Sequence, residues 1–140
     1  MADNRFKNWA PPEIEDGIPT RWNWVVQHVT GLELEPYTDI GAFTYINARY
    51  GVTLEEWVQI GSHCSIYSHS TIDGKQGKVT LKRNARIGAH SVVMPGVTVG
   101  KNSIVGAFSF VNRDIPDNVI AVGQPVRIVR PLTEEEKHEN

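Results

Sequence analysis

The stretch "LKRNARIGAHSVVMPGVTVGKNSIVGAFSFV", residues 81–111, returns an aliphatic side chain at every sixth position: Leu81, Ile87, Val93, Val99, Val105 and Val111. An α-helix would scatter such a series around its circumference instead of gathering it on one stripe. A half-buried strand would need an apolar residue at every second position, and the segment lacks that alternation. A coil with three short strands per turn satisfies the pattern, because one aliphatic per strand then points inward. The residue after the aliphatic is often Gly (Gly41, Gly61, Gly88, Gly100, Gly106), and the fourth after it is often small (Thr44, Cys64, Ser70, Ala85, Ser91, Ser103, Ser109). Both suit a bend at each corner. Hexapeptide periods of this kind mark parallel β-helices.

Working outward, the same step runs through Leu54, Ile60, Ile66 and Ile72, and through Leu34, Ile40 and Ile46. Two joins interrupt it, an eight-residue step from Ile46 to Leu54 and a nine-residue step from Ile72 to Leu81. The expectation is an all-β chain: a β-helix of about four to five rungs over residues 32–130, with rungs about 4.8 Å apart. Residues 1–31, with Trp9, Trp22 and Trp24, read as a cap or flap over the open end, since terminal repeats need covering. Residues 131–140 read as an acidic tail, frayed or disordered.

The bulk composition narrows the function. The 140 residues carry a net charge of −2, which offers no general attraction to nucleic acid or an anionic membrane. No apolar run approaches the roughly 20 residues of a membrane-spanning helix, and "MADNRFKNWAPPE" has no signal-peptide core. Cys64 is the single cysteine, so no intramolecular disulfide forms and a cytoplasmic location is expected. Its place at a small-residue corner predicts a packed thiol. "GKQGK", residues 74–78, lacks the Lys-Ser/Thr ending of a phosphate loop and reads as a connection between rungs.

Five histidines remain to be placed. Taking both joins as loops, Ile46, Ile66, Ile87 and Val105 fall on one face, and the third residue after each forms a column: Arg49, His69, His90, Phe108. His69 and His90 are thereby expected on adjacent rungs. His63 falls on a different face from His69 and reads as structural, while His28 and His138 lie outside the repeat. Asp73 and Glu55 are candidates to orient a histidine.

The segment "IGAHSVVMPGVTVGKNSIVGAFSFVNRDIPDNVIAVGQPVRIVR", residues 87–130, resembles the left-handed β-helix acyltransferases, on the branch of maltose, galactoside and surface-polysaccharide O-acetyltransferases. The ending V-x-x-D-I-P-x-N-V-I-A-x-G-x-P, from Val111 to Pro125, is the most specific part of that likeness. The resemblance implies a left-handed coil, a homotrimer with each active site between two prisms, and transfer of acetyl from acetyl-CoA to a hydroxyl or amine of a sugar or nucleotide-sugar. It implies a histidine near the first loop as general base, a role suited to a near-neutral pKa. His69 is the nearer candidate and His90 the second. The branch's Y-T-A-T-H-P motif corresponds to "YSHST", Tyr67 to Thr71, with the histidine two positions earlier and Thr71 in its place. Asn47 matches an acceptor-binding asparagine, and Arg49 is a candidate for an anionic acceptor. Ala89 and Ala107 match positions where the pantetheine arm of CoA lies against backbone. Arg113 and Arg130, with Arg127 as a third, match basic positions near its phosphates. A γ-class carbonic anhydrase, which needs three converging histidines, and a non-catalytic hexapeptide scaffold are the alternatives.

Overall fold

The structure is a computed structural model that describes residues 6–138; of the expected cap and tail, residues 1–5 and 139–140 lie outside the described residues. The chain winds as a parallel β-helix with three faces. Face A stacks Val25–Gln27, Tyr45–Asn47, Ser65–Tyr67, Val92–Val93 and Phe110–Val111. Face B stacks Leu32–Leu34, Val52–Leu54, Val79–Leu81 and Thr98–Val99, with Ile115 bridging to Val99. Face C stacks Asp39–Ile40, Gln59–Ile60, Arg86–Ile87, Ile104–Val105 and Val119–Val122, where Arg127–Pro131 turns back antiparallel and ends the sheet. Ile46, Ile66, Val93 and Val111 line one wall of the core, Leu54, Leu81 and Val99 the second, and Ile60, Ile87 and Val105 the third; all are buried.

The register corrects the expected column. Val93, not Ile87, lies on Ile66, and Ile87 lies on Ile60. The error traces to Ile72, which keeps the six-residue step but is 98% exposed. Residues 69–76 leave the coil as a hairpin, with His69–Ser70 antiparallel to Lys75–Gln76. Asp73-Gly74 makes the turn: the Asp73 carboxylate accepts the Lys75 N–H at 3.2 Å, and Gly74 takes φ +72°, where a side chain is disfavoured. Every aliphatic from Leu81 onward therefore sits one face away from where an unbroken count puts it.

The corners bend by a different device from the one the glycines suggest. The turning residue is the third after each inward aliphatic, held at positive φ: Phe43, His63, His90 and Phe108 between faces C and A, and Tyr37, Trp57, Asn84, Asn102 and Asn118 between B and C. All of these but Tyr37, which stands on the first coil, have their N–H bonded to the chain one turn before, as when His63 N–H donates to Ala42 O (2.9 Å) and His90 N–H to Ser62 O (3.0 Å). Gly88 is needed for clearance: a Cβ there would lie 2.5 Å from the backbone N of Ala107. The small residues that follow lock coil to coil, since Thr44, Cys64 and Ser91 donate to the carbonyls of Gly61, Gly88 and Gly106. Burial pushes the Cys64 thiol up, as a packed corner residue requires.

Residues 6–24 lie over the first coil. Trp24 is buried on the core, and Trp9 donates its indole N–H to Thr38 O at 2.9 Å. Phe6 and Tyr37 pack on Trp57. The coil itself starts at Val25–Gln27, which pairs with Tyr45–Asn47. At the other end the described tail is docked instead of frayed. Leu132 is buried, Arg130 grips the Glu136 carboxylate through two bonds of 2.7 and 2.9 Å, and Asn84 and Arg86 donate to the carbonyls of Lys137 and Glu136. No helix among the described residues is long and apolar enough to cross a membrane.

Candidate active site

The corner between faces A and B is where the coil departs from its repeat, and it gathers polar side chains. The 47–51 segment and the 69–76 hairpin leave the coil one rung apart at this corner. Ser68 ties them together. Its hydroxyl donates to Asn47 O at 2.7 Å and accepts the Tyr50 N–H at 3.0 Å. The Tyr50 ring stands edge-on to the His69 imidazole, with centroids 5.2 Å apart at 85°, and the Arg49 guanidinium lies over Tyr50 at 5.5 Å. Arg49 and His69 thus share a corner, as the sequence places them, but Tyr50 stands between them.

Asn47 is 8% exposed and committed within the protein, its side-chain oxygen also lying 3.4 Å from the Ser68 hydroxyl, which donates to it. Its carbonyl oxygen accepts the Arg49 N–H at 3.1 Å, and its amide donates to the Tyr45 hydroxyl at 3.4 Å. At the hairpin tip, the Lys75 N–H and the Ser70 hydroxyl hold the Asp73 carboxyl below its ordinary range, so an exposed carboxylate accompanies His69 on the same projection.

His90 stands elsewhere. It is at the corner between faces C and A, in a stack of four rings: Phe43 on His63 (5.1 Å), His63 on His90 (4.6 Å, 4° between planes) and His90 on Phe108 (4.9 Å, 8°). The pairing of His69 with His90 within one chain is therefore replaced by His63 with His90. The cause is the same one-face displacement that the hairpin introduces. Beside the rings runs a step of small residues, Ala42, Ser62, Ala89 and Ala107, whose carbonyl groups carry the corner bonds for Ala42, Ser62 and Ala89. Ala89 and Ala107 are thus stacked neighbours along the axis, a shape against which a narrow chain can lie.

The basic residues separate. Arg130 pairs across from Ile120 and is occupied by Glu136; Arg127 pairs across from Val122, which stands next to Gly106 at the end of the small-residue step. Arg113 is exposed near the corner between faces A and B. Among the described residues no three His, Cys, Asp or Glu side chains converge as a metal site. Tyr50 and Ser68 are the residues that sequence reasoning passed over. Their only signal is position, at the two places where the hexapeptide step fails.

Residues 78–113 match the bacterial transferase hexapeptide family (six repeats). Galactoside O-acetyltransferase of Escherichia coli (strain K12) is 48% identical over 60 residues, covering 43% of this chain and 30% of that protein. Serine acetyltransferase of Synechococcus elongatus is 30% identical over 134 residues, covering 92% of this chain and 55% of that protein. The chain therefore spans about half, or less, of the length of these curated relatives. Among solved structures, the N-acyltransferase AntD of Bacillus cereus, in complex with dTDP and coenzyme A, superposes with a TM-score of 0.71 at 27% identity, covering 80% of this chain and 67% of that one. By repeat, by relatives and by fold, the chain carries the bacterial transferase hexapeptide repeat and is similar to hexapeptide-repeat acetyltransferases.

Proposed function

We propose that the protein is a CoA-dependent acyltransferase that moves acetyl from acetyl-CoA to a hydroxyl or amine of a sugar or nucleotide-sugar. The observation that carries the reading is the extruded hairpin. It presents an imidazole, with a guanidinium and a phenol beside it, on a coil whose relatives are acetyltransferases. His69 takes the proton from the acceptor as its oxygen or nitrogen attacks the thioester carbonyl. The C–S bond then breaks, and the imidazolium returns the proton to the CoA sulfur. A backbone N–H steadies the oxyanion, and the rest of the acceleration comes from aligning two bound substrates. The pantetheine arm lies along Ala89 and Ala107, with Arg127 and Arg113 as the cations open to its phosphates. Asn47 shapes the acceptor side through the backbone it holds, and Arg49 receives an anionic acceptor.

The outer surface supports a homotrimer. Face A turns Val25, Tyr45, Tyr67, Val92 and Phe110 outward beside Gln27 and Ser65, where face B turns out Glu33, Thr53, Thr80 and Lys82. Packing face A about a threefold axis covers that apolar surface. The two corners that bound face A then meet across each interface. His69 of one protomer is turned toward the His63–His90 stack of its neighbour, so each histidine has a place in a shared cleft.

Calorimetric titration with acetyl-CoA should give one site per chain. In the His69→Ala protein, turnover should vanish while the fold and acetyl-CoA binding persist. Undiminished turnover would remove His69 as the base, and the His90→Ala protein then tests the other imidazole.

A further inference from the structure

We propose that Tyr50 is a positioning residue that sets the His69 imidazole and the Arg49 guanidinium relative to each other; the proposal rests on the reading of His69 as the general base. One ring touches both groups: its flank meets His69 edge-on at 5.2 Å, and Arg49 lies over it at 5.5 Å. The backbone that carries the ring is held from the coil. The Tyr50 N–H donates to the Ser68 hydroxyl, which donates to Asn47 O, and Ser68 is fully buried. Ser68 also begins the hairpin, since its carbonyl accepts the Gly77 N–H at 2.9 Å. The base of the hairpin and the ring that braces His69 are thus held through the same residue.

His69 needs that brace. It sits on a two-residue strand paired only with Lys75–Gln76, outside the core. A two-stranded ribbon of this size has little stability of its own. A well-oriented base depends on a fixed ring, and a displacement near 1 Å can cost about 100-fold in rate. The contact is aromatic and not a hydrogen bond, so a phenyl ring should serve as well as a phenol.

The test compares Tyr50→Phe and Tyr50→Leu in the full chain, with acetyl-CoA as donor and galactosides and dTDP-4-amino-4,6-dideoxyglucose as acceptor probes. Tyr50→Phe should stay within about threefold of wild type. Tyr50→Leu should lose about 10- to 100-fold in kcat with the KM for acetyl-CoA unchanged. In parallel, the His69 ring protons, assigned by NMR from the His69→Ala spectrum, should keep their ring-current shift in Tyr50→Phe and lose it in Tyr50→Leu. Wild-type kcat in a folded Tyr50→Leu protein, or unmoved His69 ring signals, would overturn the proposal. Full turnover in His69→Ala would overturn the base assignment, and the NMR comparison would still report separately whether the two rings touch.

Discussion

The register of the coil makes its sharpest prediction at two isoleucines six residues apart. Ile66 and Ile72 occupy equivalent places in the sequence repeat, yet Ile66 is fully buried between Ile46 and Val93, whereas Ile72 is 98% exposed. Truncating Ile66 to Ala removes three carbon groups from a packed interior. At about 0.8 kcal/mol for each, the transfer cost alone is about 2.4 kcal/mol. The cavity left in a rung held from above and below adds to it, giving an expected loss of about 2–5 kcal/mol. For a chain of this size that lowers Tm by roughly 10 °C. Ile72→Ala leaves nothing behind in the core and should stay within about 0.5 kcal/mol of wild type. Urea unfolding of the three proteins at one fixed concentration, followed by far-UV circular dichroism, measures the difference as a shift in midpoint at constant slope. Equal destabilisation by the two substitutions would refute the register and place Ile72 back inside the coil.

Two further outcomes follow from the ends and corners. The Arg130 guanidinium holds the Glu136 carboxyl down at about 2, against an ordinary 4.5, so the ionised form favours the docked tail. That contribution is complete above about pH 4.5 and is lost as pH falls through 4.5 toward 2. Amide protection across residues 132–137, taken relative to the intrinsic exchange rate at each pH, should therefore fall below pH 4, and Glu136→Gln should remove that pH dependence of protection. Cys64 is buried, with its thiol pushed up by desolvation, so a thiol reagent should modify it only as fast as the coil opens, and at once in urea; rapid labelling of the native protein would count against the packed corner.

Much of the fold was legible because a hexapeptide repeat is a local rule applied many times. The aliphatics Ile40, Ile60, Val93, Val99 and Val105 all point inward and are buried, as the six-residue step requires, although those after Ile72 fall on a different face from the one the count gives. Cys64 is the packed thiol that its place in the repeat suggested. Glycine was read for the wrong reason: the bends fall on His63, His90 and their equivalents, and Gly88 is small because the next coil passes too close for a Cβ. Tail docking was illegible, because the groups that hold it, Asn84 and Arg86, lie some fifty residues away in sequence.

The sequence by itself determined that the chain winds as a β-helix and where its repeat is interrupted, which is where the candidate site residues Asn47, Arg49 and His69 lie. Periodicity carries that information without reference to any distant residue. Only the tertiary structure decided which break is a hairpin and which aliphatic leaves the core, because Ile72 obeys the period as well as Ile66 does. The choice is made by pairing with the coils above and below, where Leu81 rests on Leu54 and Val93 on Ile66. That one-face displacement takes His90 away from His69 and stacks it on His63, and it leaves Tyr50 as the ring beside the candidate base.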